Sequence, residues 1–300
     1  MSIFISQLFN GLSLGSIMLL IALGLAITFG LMNVINMAHG ELIMVGAYAT
    51  YVMQLIFSKY LPENLFNYYY FIAIPISFLV ASFIGYLLEK GIIRFLYNRP
   101  TDSLLATWGI SLILQQIARS IFGAPNVAVV APAWMDGGWQ IFGITLPYKR
   151  LLILSLSIVC IALLYYYLNK TSTGLRIRAV TMNRNMASCL GIFTRKIDSL
   201  GFALGAGLAG IAGCSLTLLG PIGPTIGTYY IVDAFMVVIL GGIGGLKGTI
   251  IGAFGIGMLS TVVEYSFGAT MAKVIVFAVI ILFLQWKPLG IFSYRTRALD

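Results

Sequence analysis

The sequence predicts an all-α membrane protein, in which a single bundle of transmembrane helices occupies residues 1–300. Hydrophobic residues make up 60% of the chain and charged residues only 9%, which leaves too little polar surface to cover a soluble globule of this length. Apolar runs of about 17–25 residues, the length that crosses a bilayer, recur along the chain. The net charge of +9 comes from basic residues between these runs, so membrane topology explains it and nucleic-acid binding is not predicted.

The apolar runs predict nine membrane spans. They fall at residues 8–30, 42–57, 69–88, 104–122, 151–168, 200–219, 230–246, 249–263 and 271–286. Residues 1–38 carry no ionisable side chain, which predicts a retained first helix rather than a cleaved signal peptide. Because the run at 249–263 is short and the glycine-rich stretch before it would suit a re-entrant segment, eight spans remain an alternative.

Charge in the loops predicts the orientation of the bundle. Residues 89–102, residues 170–198 and the C-terminal tail carry three, six and three basic residues, twelve of the eighteen in the chain. With nine spans these segments fall on one side, which the positive-inside rule assigns to the cytoplasm, with the N-terminus periplasmic and the C-terminus cytoplasmic. The loop at residues 123–150, rich in Pro, Gly and Trp, then lies in the periplasm.

Polar residues interrupt the junction of the first two spans, in the string NVINMAHGE. Asn33, Asn36, His39 and Glu41 form either a tight polar turn at the cytoplasmic surface or a broken helix that lines a solute path. Polar groups at membrane depth are costly unless they face protein or a watery cavity, so these four are the candidate solute-pathway residues. The lone histidine has no His or Cys nearby at metal-ligand spacing, and no metal site is predicted.

Small residues predict close helix packing in two places. Gly201, Gly205, Ala209 and Gly213 recur at four-residue spacing, the pattern that lets membrane helices approach closely. Residues 240–257 are rich in glycine, which suits either close helix contact or a hinge.

The basic segment at residues 170–198 predicts a short amphipathic helix from Thr173, as N-cap, to Gly191, as stop signal. The apolar residues that would rest on the membrane domain are Ala179, Met182, Met186 and Cys189. The residues that would face a soluble partner are Arg178, Asn183, Arg184 and Asn185. The alternative is a solvated loop that its charge alone keeps inside.

Four strings carry a resemblance to a known family: GLSLGSIMLLIALGLAITFGLMNVINMAHGELIMVGAYATYV, LLATWGISLILQQIARSIFGAPN, TGLRIRAVTMNRNMASCLGI and DAFMVVILGGIGGLKGT. Over nearly its whole length the chain resembles the inner-membrane permeases of ATP-binding-cassette (ABC) importers for branched-chain amino acids and urea. ATWGISLILQQ, FGAPN and NRNMASCLGI are most similar to the urea branch, the first of its two permease subunits. NMAHGE and LGGIG are shared with branched-chain amino acid permeases.

This resemblance implies a type II-like importer permease of eight or nine spans in the bacterial inner membrane, without a cofactor or a catalytic site. It implies urea as the solute, with a branched-chain amino acid as the alternative. The implied partners are a second permease subunit in a heterodimer, two cytoplasmic ATPase subunits and a periplasmic solute-binding protein. The family's coupling loop would map onto residues 173–191, where Ala187 and Gly191 match the motif and Met186 replaces an acid that often opens it.

Other transport classes fit the sequence less well. An ion-coupled carrier would need titratable groups in mid-span, and the candidates, Asp233, Glu264 and Lys273, are predicted near helix ends. Asp233 is predicted at a helix N-terminus, and Glu264 is predicted to pair with Lys273 across a turn. A passive channel would need no docking helix. A membrane enzyme is least favoured, because the chain has one histidine and no paired carboxylates.

Overall fold

The structure, a computed structural model, describes residues 2–32, 35–60, 62, 66–97, 99–141, 144–242, 244–288 and 290–292. Within these ranges it contains eleven α-helices and one two-stranded hairpin. The helices are α1 (Ser2–Met32), α2 (His39–Tyr60), α3 (Tyr69–Gly91), α4 (Pro100–Phe122), α5 (Tyr148–Lys170), α6 (Ser172–Met182), α7 (Arg184–Cys189), α8 (Thr194–Leu216), α9 (Ile226–Gly241), α10 (Leu246–Phe267) and α11 (Ala269–Trp286). The predicted all-α polytopic bundle is confirmed.

Eight helices in the described part of the chain are long and apolar enough to cross a membrane: α1–α5, α8, α10 and α11. The remaining predicted span, 230–246, corresponds to α9, which has 16 residues and is shorter. The prediction that 249–263 is the short element was wrong, because that run belongs to the 22-residue α10. The boundary was misplaced because Gly242 and Gly244, at φ +97° and +80°, turn the chain where an apolar run appeared continuous.

Helices α1 and α8 form the centre of the bundle. In α1 the most apolar window is 89% buried, and the helix packs against α5, α8, α9 and α10. The small residues of α8 face three neighbours: Gly205 packs on Gly24 of α1, Gly210 on α3 and Gly213 on the backbone of Ile43 in α2. Lipid chains are as apolar as leucine, so helix association in a membrane depends on such close packing. The packing role predicted for this pattern is confirmed.

The two ends of the bundle differ, and we name them by their contents. The basic end is where α1 ends and α8 begins, and it carries α6 and α7. The hairpin end carries β1 (Gly138–Ile141) and β2 (Ile144–Pro147), an antiparallel pair in the segment predicted as a loop. This segment is tied to α2 and α3, because Gln54 accepts a hydrogen bond from the Val130 N–H and the Tyr69 hydroxyl donates to the Val130 carbonyl.

The predicted pair of Glu264 with Lys273 is wrong. The Lys273 ammonium instead lies 3.5 Å from a carboxylate oxygen of Asp233, whose side chain is only 8% exposed. Asp233 is the eighth residue of α9 rather than its first, because the helix begins at Ile226. Contact between α9 and α11 brings the two charges together.

Candidate functional site

The second helix begins inside the bundle rather than at its surface. The ring of His39, the first residue of α2, lies 3.1 Å from the position that a Cβ atom on Gly24 would occupy. Gly24 is eight residues before the end of α1, a distance of about 12 Å along the helix. The chain therefore turns back into the bundle between α1 and α2. A turn at the surface, the alternative left open by the sequence, does not fit this geometry.

Helix α9 also begins inside, and it is entered from the opposite end. After α8, Leu219 and Gly220 are exposed at the hairpin end, whereas Ile222–Pro224 are buried again. Ile222 forms an isolated bridge with Val127. Gly227, in the first turn of α9, packs so closely on Gly40 that a Cβ on Gly40 would lie 2.5 Å from the Gly227 carbonyl oxygen. The N-terminal ends of two helices, each with a partial positive charge, thus meet within the bundle.

Glu41 is the acid at this meeting point, and it is 1% exposed. One carboxylate oxygen, Oε1, accepts hydrogen bonds from the Ser111 hydroxyl at 2.8 Å and the Gln115 amide at 2.9 Å. The Thr228 hydroxyl of α9 lies 3.5 Å from the same oxygen and 3.1 Å from the Gln115 amide. Three helices, α2, α4 and α9, therefore converge on one carboxylate, which we call the Glu41 cluster (Glu41, Ser111, Gln115 and Thr228).

Several buried polar atoms beside this cluster have no hydrogen-bond partner among the described residues. They are Nδ2 of Asn36, both ring nitrogens of His39 apart from a loose contact with the Ile21 backbone, Oε2 of Glu41 and the hydroxyl of Tyr48. All belong to residues 36–48. A buried polar atom without a partner costs about 1–3 kcal/mol, so an unfilled group of this kind indicates a site for water or solute.

The structure brings three of the four predicted pathway residues to this place. Asn36, His39 and Glu41 are 2%, 0% and 1% exposed, and Asn36 accepts a hydrogen bond from the Ala38 N–H at the start of α2. Asn33 lies outside the described residues. A role for these residues in solute passage stays a prediction.

Sequence reasoning missed the partners that α4 supplies. Ser103, Thr107, Ser111 and Gln115 recur at four-residue spacing and are all buried, although half of α4 is exposed. Thr107 accepts from the Met37 N–H at 3.2 Å, so this polar stripe also holds the segment before α2. The sequence pattern could have predicted this face, because polar residues at four-residue spacing in an apolar span lie on one side of a membrane helix, and that side avoids lipid.

The predicted docking helix is two helices, α6 and α7, with a break at Asn183. The N-cap of α6 is Thr171 rather than Thr173, and its hydroxyl accepts from the Gly174 N–H at 3.0 Å. The Asn183 side chain accepts from the Met186 N–H and so caps α7. Gly191, at φ +80°, ends α7 as predicted. Two hydrogen bonds, Gly191 N–H to Ser188 and Ile192 N–H to Ala187, complete a Schellman motif.

The predicted faces of this segment were wrong. Met182 and Met186 are 76% and 60% exposed, and Cys189 is exposed too, although they were expected to rest on the membrane domain. Ala179 is half-buried. The residues that pack inward are Gly174, Ile177, Val180 and Ala187. The prediction failed because the break at Asn183 gives α6 and α7 different axes, so one helical period cannot describe both.

Arg184 points into the bundle. It donates to Asp198 of α8 through both terminal guanidinium nitrogens, Nη1 and Nη2, and the Asp198 side chain is fully buried. The guanidinium also lies over the ring of Tyr97, 5.2 Å from its centre. The Tyr97 hydroxyl donates to buried Glu89, whose other oxygen accepts from Ser199. Burial and the Glu89 carboxylate hold the pKa of Tyr97 far above its ordinary value, so the hydroxyl stays protonated as donor.

The remaining predicted docking residues differ in exposure. Arg178 and Asn185 are exposed, whereas Ala187 is 2% exposed and packs inward. Asn183 is exposed but its side-chain oxygen is used in the cap. A docking role for any of them stays a prediction.

Comparison with known proteins assigns this architecture to a family. Residues 7–284 match the sequence profile described as "Branched-chain amino acid transport system / permease component". The chain belongs to this family. It is therefore a multi-span permease subunit of an ABC-type transport system, and the prediction of a transport subunit rather than an enzyme is confirmed.

Relatives within the branched-chain amino acid permease family are similar over nearly the full length. The high-affinity branched-chain amino acid transport system permease protein LivH of Salmonella typhimurium is 29% identical over 96% of this chain and 95% of its own length. BraD of Pseudomonas aeruginosa, of the same description, gives the same identity and coverage. A probable LivH of Methanocaldococcus jannaschii is 29% identical over 92% of this chain. No solved structure gives a significant match. The urea prediction finds no support among these relatives, and the alternative fits them better.

Proposed function

We propose that this chain is the permease subunit of an importer that carries branched-chain amino acids across the bacterial inner membrane, and that the solute passes the Glu41 cluster. The observation that carries the proposal is the Glu41 carboxylate, which has one oxygen bound by Ser111 and Gln115 and the other without a partner in the described part of the chain. The full-length relatives support the choice of solute.

The chemistry of the cluster suits an amino acid. The free Oε2 atom of Glu41 would accept hydrogen bonds from the solute ammonium group, because Oε1 is already occupied. The solute carboxylate would lie at the N-terminal ends of α2 and α9, where first-turn N–H groups and the helix dipoles favour a negative charge. Asn36 and His39 supply further polar groups nearby.

The polar stripe of α4 continues the proposed route toward the basic end. Thr107 lies one turn of α4 from Ser111, and Ser103 lies one turn further on. Thr228 is exposed and opens the cluster to the surface between α4 and α9. Beside Thr228, the outer face of α4 exposes the apolar side chains of Trp108, Leu112 and Ile113. The second permease subunit of the heterodimer would cover this surface and close the path.

The surface that would bind the two ATPase subunits lies on α6 and α7. Exposed apolar side chains on these helices and just after them include Met182, Met186, Leu190 and Phe193, each at least 60% exposed. Exposed Arg178 and Asn185 lie among them. A large apolar patch rimmed by polar groups is typical of a protein interface. We name it the coupling patch (these six residues). It would face the cytoplasm, and residues 123–150 at the hairpin end would face the periplasmic solute-binding protein.

Urea is the second candidate solute, and one observation favours it. Ser111 and Gln115 come from ATWGISLILQQ, the string most similar to the urea branch, and both bind Glu41 directly. Urea has four N–H donors and no charge, so a carboxylate oxygen without a partner would also suit it.

A Glu41→Gln variant separates the two solutes. Glutamine keeps the shape of the side chain and an acceptor oxygen but removes the negative charge. Leucine uptake should therefore fall at least about tenfold, because a hydrogen bond from the solute ammonium to a neutral amide oxygen is weaker than one to a carboxylate. Urea uptake should change much less. The measurement is ATP-dependent uptake of radiolabelled leucine and urea by the complete importer in proteoliposomes.

The matched control for this variant is Asp102→Asn, which neutralises an exposed acid on α4. It should leave uptake of either solute unchanged. Urea uptake without leucine uptake by the unmodified importer would contradict the amino acid proposal. Leucine uptake that is indifferent to Glu41→Gln would contradict the role of the cluster.

A further inference from the structure

A polar cavity lies at the hairpin end, apart from the Glu41 cluster. It has a volume of about 320 Å³, within the range of about 300–1,000 Å³ that is typical of small-molecule sites. It lies between α1, the start of α5, the residues after α8 and the end of α10. Its polar lining includes Gln7, Asn10, Ser13, Arg150, Thr261 and Glu264. It shares no residue with the Glu41 cluster.

One cation and one anion face this cavity without neutralising each other. Arg150 donates a hydrogen bond to the side-chain oxygen of Asn10, which holds the guanidinium against α1. Arg150 and Glu264 form no ion pair within 4.0 Å, and among the described residues the Glu264 carboxylate has no other ionic partner. Opposite charges that line one small cavity at a distance leave room for a ligand between them.

A hydroxyl on the cavity wall supports the same conclusion. Ser13 is only 3% exposed and lines the cavity, and its hydroxyl has no hydrogen-bond partner in the part of the chain that the structure describes. Leu14 and Ile17 contribute an apolar wall on the same side of α1. The cavity therefore offers a positive group, a negative group, a free hydroxyl and an apolar surface.

We propose that this cavity binds a zwitterionic α-amino acid, with the solute carboxylate at Arg150, the ammonium at Glu264 and an aliphatic side chain against Leu14 and Ile17. An arginine fork matches a carboxylate, and a carboxylate matches an ammonium group. The assignment rests on the proposed function, and it adds a recognition site on the side where a binding protein would release the solute. A phospholipid headgroup with an amine and a phosphate has similar chemistry, and the test includes it.

The test is the selectivity of radiolabelled leucine binding to the membrane complex of permease and ATPase subunits, without the solute-binding protein, in phosphatidylcholine nanodiscs without ATP. The competitors are leucinamide, which lacks the carboxylate, and 4-methylpentanoate, which lacks the ammonium. Unmodified importer should prefer leucine to both. Arg150→Gln should weaken leucine binding at least about tenfold and remove the preference over leucinamide only. Glu264→Gln should remove the preference over 4-methylpentanoate only.

Two neighbouring residues provide matched controls. Lys149 and Asp136 lie at the same end, pair with each other at 3.5 Å and do not line the cavity. Lys149→Gln and Asp136→Asn should therefore leave both preferences unchanged. If the cavity variants only disturb the structure, leucine binding should weaken while the preference over leucinamide and over 4-methylpentanoate stays the same. That result would overturn the proposal.

The outcomes separate this proposal from the proposed function. If the importer takes up leucine but neither Arg150→Gln nor Glu264→Gln changes leucine binding, the cavity assignment alone is overturned. Absence of leucine uptake, with urea carried instead, would overturn the proposed function, whereas a selectivity change in binding would still support the cavity. Loss of leucine binding when phosphatidylethanolamine replaces phosphatidylcholine would assign the cavity to a lipid headgroup and overturn the amino acid assignment.

Discussion

Replacing Gly46 with valine is expected to destabilise the bundle strongly. In the native contact α2 crosses α8 at Gly46 and Gly210, and a Cβ atom on Gly46 would lie within 3 Å of three backbone atoms of Gly210. A backbone cannot move aside as the end of a side chain can, so the two helices would have to separate. Separation would also remove Gly213 from the backbone of Ile43, one turn along the same interface.

The loss of stability should reach or exceed the roughly 1–3 kcal/mol that is typical of overpacking. Thermal unfolding of the detergent-solubilised protein, followed by size-exclusion chromatography, measures it. The matched control is Gly109→Val in α4, because a Cβ at Gly109 has no other atom within 4 Å. An equal effect of the two variants would mean that the valine side chain, rather than the α2–α8 contact, causes the loss.

Arg184→Leu is the second substitution with a large expected effect. It would leave the fully buried Asp198 carboxylate without its ionic partner. Breaking a fully buried ion pair costs about 3–5 kcal/mol, and this is an upper bound here because the Arg184 side chain is 38% exposed. It would also remove the attachment of α7 to α8. We therefore expect both a lower unfolding temperature and loss of coupling, in which the ATPase subunits still hydrolyse ATP but leucine uptake falls.

A double-mutant cycle tests this account of Arg184. Arg184→Leu with Asp198→Leu should be more stable than Arg184→Leu alone, because no unpaired charge remains buried. The matched control is Arg178→Leu, which removes an exposed arginine from the same segment and should leave the unfolding temperature unchanged. Additive effects of the two leucine substitutions would show that Arg184 and Asp198 do not stabilise each other.

Much of the bundle was predictable because lipid imposes simple rules. A helix must satisfy its own backbone in a membrane, so apolar length alone located most spans, and four-residue spacing of Gly201, Gly205 and Gly213 located a packing face. Those rules do not require distant partners to be known. The position of α9 was less accurate, because glycines ended the helix within a run that was apolar throughout.

The candidate site was only half predictable. Asn36, His39 and Glu41 stood out as polar residues in an apolar region, but Ser111 and Gln115 lie 70 or more residues away and their pairing with Glu41 follows from tertiary packing. The orientation of α6 and α7 depended on the break at Asn183 and on apolar side chains, Met182 and Met186, that the described part of the chain leaves exposed. Periodicity assumes one straight helix whose apolar face is covered by its own chain, and neither condition holds there.

We propose above all that the coupling patch faces the cytoplasm and binds the ATPase subunits. The native thiol of Cys189 tests it directly, because Cys189 is exposed beside this patch whereas Cys160 and Cys214 are buried. A membrane-impermeant maleimide is applied to right-side-out spheroplasts and to inverted vesicles, with Thr145→Cys at the hairpin end as the opposite-side control. We predict that Cys189 is labelled only in inverted vesicles, and that bound ATPase subunits protect it. Labelling of Cys189 from outside intact spheroplasts would contradict the account.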